Sequence, residues 1–285
     1  MEDERRSLRG KRVLVTGGGS GIGLASALLF SADGAAVTIA GRTEPRLRAA
    51  TATIEARCRG GGGSVDFIVC DATDGEQVRR AVEFAEGDAG RLDAAVSVPG
   101  GGSFAPILLH SAESFMADVG LNTLPVFWMV KYAGSHMARS GGGWIVAISS
   151  TAAVQSSPFL SAYCAGNAAV EALVRVAADE LGAAGVRVNA VRPGLTHTDA
   201  TDGMFALPDV LDRYREQQPL VRTGEPEDIA ALVRFLAGPD SSWMTGQCIA
   251  SDGGHTLRRF PDLKPLADAV WGREKVDAAA RGDID

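Results

Sequence analysis

The sequence predicts an α/β protein, a single doubly wound domain whose mostly parallel sheet has seven strands and helices on both faces. Three observations carry this prediction. Short valine- and isoleucine-rich runs alternate with helix-like stretches along the chain, the order that right-handed β-α-β crossovers produce. A glycine-rich loop joins the first such run to the first helical stretch. No break in composition marks a second domain, and 46% apolar residues suffice for one large core.

The elements follow in order. A charged lead-in, 1–10, precedes the strand 12–16 (RVLVT), a run of the kind buried in parallel sheets. After the glycine loop, LASALLFSAD predicts a helix ending near Gly34, then a strand over 35–40. A helix over 44–57 gives way to the glycines of 60–63, and 64–70 (SVDFIVC) is the third strand. A helix over 75–86 leads to the fourth strand, 92–98, which stops at Pro99-Gly100-Gly101-Gly102. A long helix spans 111–139, the fifth strand 144–149, the next helix 161–184 and the sixth strand 186–192. A looser segment, 194–218, precedes a helix over 226–237 that proline opens. The seventh strand is 247–251, the domain is 11–255, and 256–285 is a charged, weakly patterned C-terminal extension.

Bulk properties exclude several functions. The net charge is −7 and the basic residues form no stripe, which argues against a nucleic-acid surface. No apolar run approaches the roughly 20 residues that span a bilayer, and the charged N-terminus does not read as an export signal. Cys58, Cys70, Cys164 and Cys248 form no C-x-x-C pair, so a disulfide-free cytoplasmic protein is expected. His110, His136, His197 and His255 lack metal-ligand spacing, so no metal is expected.

The loop Gly17-Gly18-Gly19-Ser20-Gly21-Ile22-Gly23 follows a strand and opens a helix, the context in which a glycine motif signals dinucleotide binding. Gly17 permits the tight turn, Gly21 a close approach of backbone to phosphate, and Gly23 close helix–strand packing. Amides at the helix start suit a pyrophosphate. The second strand ends in Gly41-Arg42, where an acidic residue would bind the adenosine ribose of NAD. A fixed guanidinium there suits a 2′-phosphate, so NADP(H) is favoured over NAD(H). Asp71, just past the third strand, can accept from the adenine amino group, cap the next helix, or do both.

With these residues in hand, the chain resembles the short-chain dehydrogenase/reductase family over about 10–254. The resemblance rests on TGGGSGIG at 16–23, Asp71, Asn122, ISS at 148–150, Tyr163, RVNAVRPG at 187–194 with Thr196 and Thr198, RTGEPEDIA at 222–230 and TGQCIASDGG at 245–254. It implies a Rossmann fold and hydride transfer between a nicotinamide and a carbonyl or alcohol carbon of a small molecule. It also implies pairing of the long helices in a homo-oligomer, dimer or tetramer. Carried over by position, Ser150 orients the substrate oxygen, Tyr163 exchanges its proton, and Asn122 supports a proton-relay water through a local helix distortion. Ser149 is the alternative hydroxyl, but the thirteen-residue spacing to Tyr163 favours Ser150. The cofactor set is Gly17, Gly19, Ser20, Gly21, Ile22, Gly23, Arg42, Asp71, Ala72, Gly100, Pro193, Thr196 and Thr198, shared with Tyr163 and Asn167.

Two departures stand out. The family's N-N-A-G after strand four reads Ser97-Val98-Pro99-Gly100. The family's lysine, one helical turn after the tyrosine, is Asn167, which keeps a hydrogen bond for the ribose but carries no charge. Tyr163 is then expected to stay protonated near neutral pH, a usable acid for carbonyl reduction and a poor base for alcohol oxidation. Two functions follow: a carbonyl reductase with weakened catalysis, or a non-catalytic cofactor-binding homologue with a regulatory or assembly role. Segments 103–109, 154–160 and 197–218 are expected to shape the substrate, and Met204, Phe205, Leu207 and Tyr214 suggest a hydrophobic or cyclic carbonyl compound.

Overall fold

A computed structural model describes residues 8–58, 62–98, 100–259 and 261–283. Pro99, one of the two departures, lies outside the described residues. Seven strands form one sheet: β1 (Arg12–Thr16), β2 (Ala36–Gly41), β3 (Ser64–Val69), β4 (Ala94–Ser97), β5 (Gly143–Ile148), β6 (Val186–Pro193) and β7 (Cys248–Ser251). Their order is β3-β2-β1-β4-β5-β6-β7, and every neighbouring pair is parallel. The order reverses between β1 and β4, and the carboxyl ends beside that switch are where an open α/β sheet leaves a ligand crevice.

Helices cover both faces because strand side chains alternate. Leu14 joins a core with Val78, Met129 and Val174, under α3 (Gly75–Glu86), α4 (Ala112–Arg139) and α5 (Ser161–Leu181). Val13 and Val15 point the other way, to Phe30, Ile54 and Val233 of α1 (Gly21–Ala32), α2 (Glu44–Arg57) and α8 (Pro226–Leu236). Strand β4 is shorter than expected. Leu92 is buried without pairing, and the Asp93 carboxylate instead accepts from the backbone of Arg12 (3.0 Å) and from Lys11 Nζ (3.0 Å).

Four helices lie where the sequence shows only loose pattern. Within 194–218 are α6 (Asp202–Phe205) and α7 (Pro208–Glu216), the latter anchored by buried Val210 and Tyr214 one turn apart. The C-terminal extension folds as α9 (Lys264–Trp271) and α10 (Arg273–Arg281), held by Ala267, Val276 and Ala279. Alanines bury little area each, so such a stripe is weak in a sequence and real only against a partner surface.

Candidate active site

The chain turns sharply where β1 meets α1. Gly17 has φ +71°, and a Cβ there would lie 2.7 Å from the Val98 carbonyl oxygen. A Cβ on Gly23 would lie 2.1 Å from the Gly17 carbonyl oxygen, so α1 seats on the strand only because both are glycine. Ser20 precedes α1 in extended conformation and its side chain makes no capping bond. The positive end of the α1 dipole therefore faces the crevice without a side-chain acceptor. Gly17, Gly19, Ser20, Arg42, Asp71, Ala72 and Gly100 line a cleft of about 210 Å³ there. A cradle that side chains would fill, with open amides at its floor, fits a dinucleotide pyrophosphate.

The remaining cofactor candidates lie on α1, at the end of β6 and just after it. Ile22 packs into the core under α1, which leaves its backbone as the group facing outward. Pro193 ends β6 against Ser251 of β7, and Thr196 is buried with its hydroxyl donating to the Gly194 carbonyl at 3.1 Å. Thr198 closes over the glycine loop: its Cγ2 is 3.0 Å from where a Gly21 Cβ would stand. An exposed ion pair, Arg46 to Asp199 (3.1 Å), spans the same gap.

Asp71 accepts from the backbone N–H (2.9 Å) and hydroxyl (2.7 Å) of Thr73. Those two bonds, followed by the positive field of Arg42, hold its carboxyl below the usual carboxylate range. It is not the cap of α3. Asp74 takes that role, accepting from Glu76 N and Gln77 N, because Asp71 sits three residues too early and closes a turn of its own. Arg42 itself is exposed at the mouth of the cleft.

Two serines follow the end of β5. Ser149 is buried and donates to Glu171 Oε1 (2.9 Å), and Arg192 holds the same carboxylate in a two-pronged grip at 2.8 and 2.7 Å. That hydroxyl is spent on structure. Ser150 accepts from Ala152 N (3.2 Å), and its hydroxyl stands beside that of Tyr163. Tyr163 stands on the first turn of α5, where burial pushes its phenol above the ordinary value while bonds to Ser150 and Asn167 pull weakly the other way. Neither bond partner is a cation, so nothing in that set supplies the charge a lysine would.

Asn167 is 2% exposed and its Nδ2 donates to the Tyr163 backbone carbonyl one turn back (3.0 Å). Asn122, also buried, donates from Nδ2 to the carbonyls of Gly101 (2.8 Å) and Asp118 (2.9 Å), tying α4 to the loop after β4. Helix α4 runs unbroken through Asn122, with Pro125 inside it. Proline has no N–H, so the carbonyl left without its helical donor is that of Leu121, whose side chain lines the nucleotide cleft. Gly166 lets α5 approach: a Cβ there would lie 3.1 Å from Asn122 Cβ. Tyr163 is thus beside both Ser150 and Asn167, with Asn122 on the adjoining helix face.

Sequence reasoning missed Glu171, and among the residues packed around Tyr163 it missed Leu195 and Leu263, which lie outside the three segments expected to shape the site. Glu171 is one turn beyond Asn167 and its partner lies on the next strand, a pairing no local pattern announces. Removing it in Glu171→Ala leaves Arg192 inside without its bidentate partner. Stability should fall by about 3–5 kcal/mol, read as a lower urea midpoint, with Glu171→Gln intermediate. Above Tyr163 lie Leu160, Leu195, Val210, Tyr214 and Leu263, with Phe104, Phe159 and Phe205 packed against them. Phe159 has φ +69°, the one positive value outside glycine among the described residues, a strained backbone in the cluster that holds Tyr163. His197 stacks on Phe205 (centroids 4.2 Å apart) and faces Asp202 at 3.5 Å, both partners exposed, rather than turning toward Tyr163.

A family model described as Enoyl-(Acyl carrier protein) reductase matches residues 17–256. The chain belongs to the short-chain dehydrogenase/reductase family. Among relatives, the A-factor type gamma-butyrolactone 1'-reductase (1S-forming) of Streptomyces virginiae is 35% identical over 260 residues, 90% of this chain and all of the relative. A short-chain type dehydrogenase/reductase from Mycobacterium ulcerans superposes with a TM-score of 0.91 at 38% identity, covering 95% of this chain and 98% of that one. A 7 alpha-hydroxysteroid dehydrogenase solved with NADH and 7-oxo glycochenodeoxycholic acid superposes at 0.80 with 30% identity, over 89% of this chain and 97% of that one. As a short-chain dehydrogenase/reductase the protein is an oxidoreductase that uses an NAD(P)-type cofactor and a small-molecule substrate. Among the described residues no helix is long and apolar enough to cross a membrane.

Proposed function

We propose that this family member reduces a carbonyl compound, prefers NADPH, and turns over slowly for want of a cation beside its tyrosine. The observation that carries the reading is the placing of a buried Tyr163 phenol, raised above its ordinary range by desolvation, beside the Ser150 hydroxyl that begins the turn after β5. Ser150 accepts one hydrogen bond from Ala152 N and is thereby oriented, so its own hydrogen can be aimed at a substrate oxygen. Tyr163 donates the proton that the developing alkoxide needs. Asn122 holds the Gly101 carbonyl, and Asn167 the carbonyl of Tyr163, so both act by fixing the backbone around the phenol. A reduced nicotinamide bound in the cleft would supply the hydride.

The phosphate preference rests on Arg42, exposed at the cleft mouth beside Gly41. The steroid dehydrogenase above was solved with NADH, so this choice separates the two proteins. Arg42→Ala should weaken NADPH binding roughly tenfold, the worth of one partly exposed charge-assisted contact, and leave NADH binding nearly unchanged. Fluorescence titration with both cofactors measures the two constants. The reading as a whole is tested by following NADPH oxidation across a panel of cyclic and aliphatic ketones. Tight NADPH binding with no oxidation of any of them would overturn it in favour of a non-catalytic role.

A further inference from the structure

The family model ends at residue 256, yet the chain beyond it is fastened to every segment around Tyr163. Gln155, five residues past Ser150, donates from Nε2 to the carbonyls of His255 (3.1 Å) and Arg258 (2.8 Å). Arg258 in turn donates to the Glu216 carbonyl at the end of α7 (2.8 Å). Leu263 is fully buried in the apolar cluster against which Tyr163 packs. Trp271, the last residue of α9, donates its indole N–H to the Phe104 carbonyl. Two residues before Phe104, Gly102 lies against the tyrosine: a Cβ there would stand 3.0 Å from Tyr163 Cβ. The loops 103–109, 154–160 and 197–218 are therefore each tied to one tail.

The surface this tail completes is apolar. Phe104, Phe159, Leu160, Leu195, Met204 and Leu263 belong to it. Arg213, at its edge, faces Asp262 at 3.6 Å. A thioester carried on a protein or coenzyme arrives on a long phosphorylated arm, which needs a cationic, open-ended channel from the reacting carbonyl to solvent. The tail lies across the apolar cluster above Tyr163 and is fastened to three loops around it, and the Lys275 ammonium is stacked on the outer Trp271 ring at 4.8 Å.

We infer that residues 255–259 and 261–283 are the outer wall of the substrate site, with Leu263 and Trp271 as specificity-determining residues. The wall admits a free, compact, uncharged carbonyl compound and turns away a thioester on a phosphorylated arm. The inference rests on the carbonyl-reduction reading for Tyr163 as the reacting end, but it can be judged by binding alone.

Ligand-observed NMR titration of the full-length, NADP+-saturated protein gives the affinities for cyclohexanone, the fused-ring ketone 1-decalone, and acetoacetyl-coenzyme A. Wild-type protein should favour cyclohexanone and bind the thioester least. Trp271→Ala should move the decalone-to-cyclohexanone affinity ratio upward by about tenfold or more, the scale on which an apolar pocket discriminates size. Leu263→Ala should move it the same way by a separate route, with NADP+ affinity unchanged in both as the check on folding. A ratio that moves in neither variant, a wild-type protein that binds neither ketone, or one that binds the thioester as well as the ketones, overturns the inference. The expected ratios with no NADPH oxidation would instead remove the reductase reading and leave the wall in place.

Discussion

Tyr163→Phe should lower NADPH-dependent ketone reduction by about 10²–10⁴-fold, the usual contribution of a positioned proton donor, while NADPH affinity stays within about twofold of wild type. The phenyl ring keeps the contacts with Gly102 and the apolar cluster, so the loss isolates the hydroxyl. The pH profile carries a second mark of the same group. Burial raises the Tyr163 phenol, so the protonated donor persists through neutral pH and reduction should stay level there, declining only in the strongly alkaline range. Alcohol oxidation needs the deprotonated form, so its rate should instead climb about tenfold per pH unit across the accessible range. Steady-state rates in both directions between pH 6 and 10 measure this. A reduction rate that falls between pH 7 and 8 would mean another group donates the proton.

Asn167→Lys should have the next largest effect and the opposite sign. A unit charge about 4 Å from the phenolate oxygen is worth about 4 kcal/mol at an effective dielectric near 20, or about three pH units of tyrosine titration at about 1.36 kcal/mol per unit. Part is offset because position 167 is 2% exposed and an ammonium there loses solvation. The net expectation is a rise of about tenfold in ketone reduction and of about 10–100-fold in alcohol oxidation at pH 8. The alkaline climb of the oxidation profile should also move toward neutral pH. If reduction does not rise, the missing charge is not what limits this enzyme. Asn167→Leu, which loses the bond to the Tyr163 carbonyl and adds no charge, separates the electrostatic effect from a positional one.

The sheet was legible because parallel strands are short, β-branched and locally continuous, and the glycine loop because its backbone demands exclude other residues. Gly23 is the plain case, since no side chain survives 2.1 Å from a carbonyl oxygen. Ser150 and Tyr163 were legible as a spacing between a strand end and a helix start. Which serine faces the crevice was legible only as a preference. The structure turns Ser149 toward Glu171 and sets Ser150, which begins the turn after β5, beside the tyrosine near the start of the same helix. Asp71 was read as a possible helix cap, and Asp74 proved to be the cap because the helix begins at Gly75. Helices α6, α7, α9 and α10 escaped because short helices owe their stability to what they touch. Val210, Tyr214, Leu263 and Ala267 find their partners far along the chain.

That distance sets an order of events. The bonds from Gln155 reach acceptors 100 and 103 residues downstream, and Trp271 closes onto Phe104 across 167. Loops of that length close late, after local crossovers have formed. During synthesis the glycine cradle and its flanking strands are complete while the chain around Tyr163 still lacks its fasteners. The molecule thus acquires a place for its cofactor before it acquires a shape for its substrate, and no fragment ending before residue 271 can make the Phe104 contact.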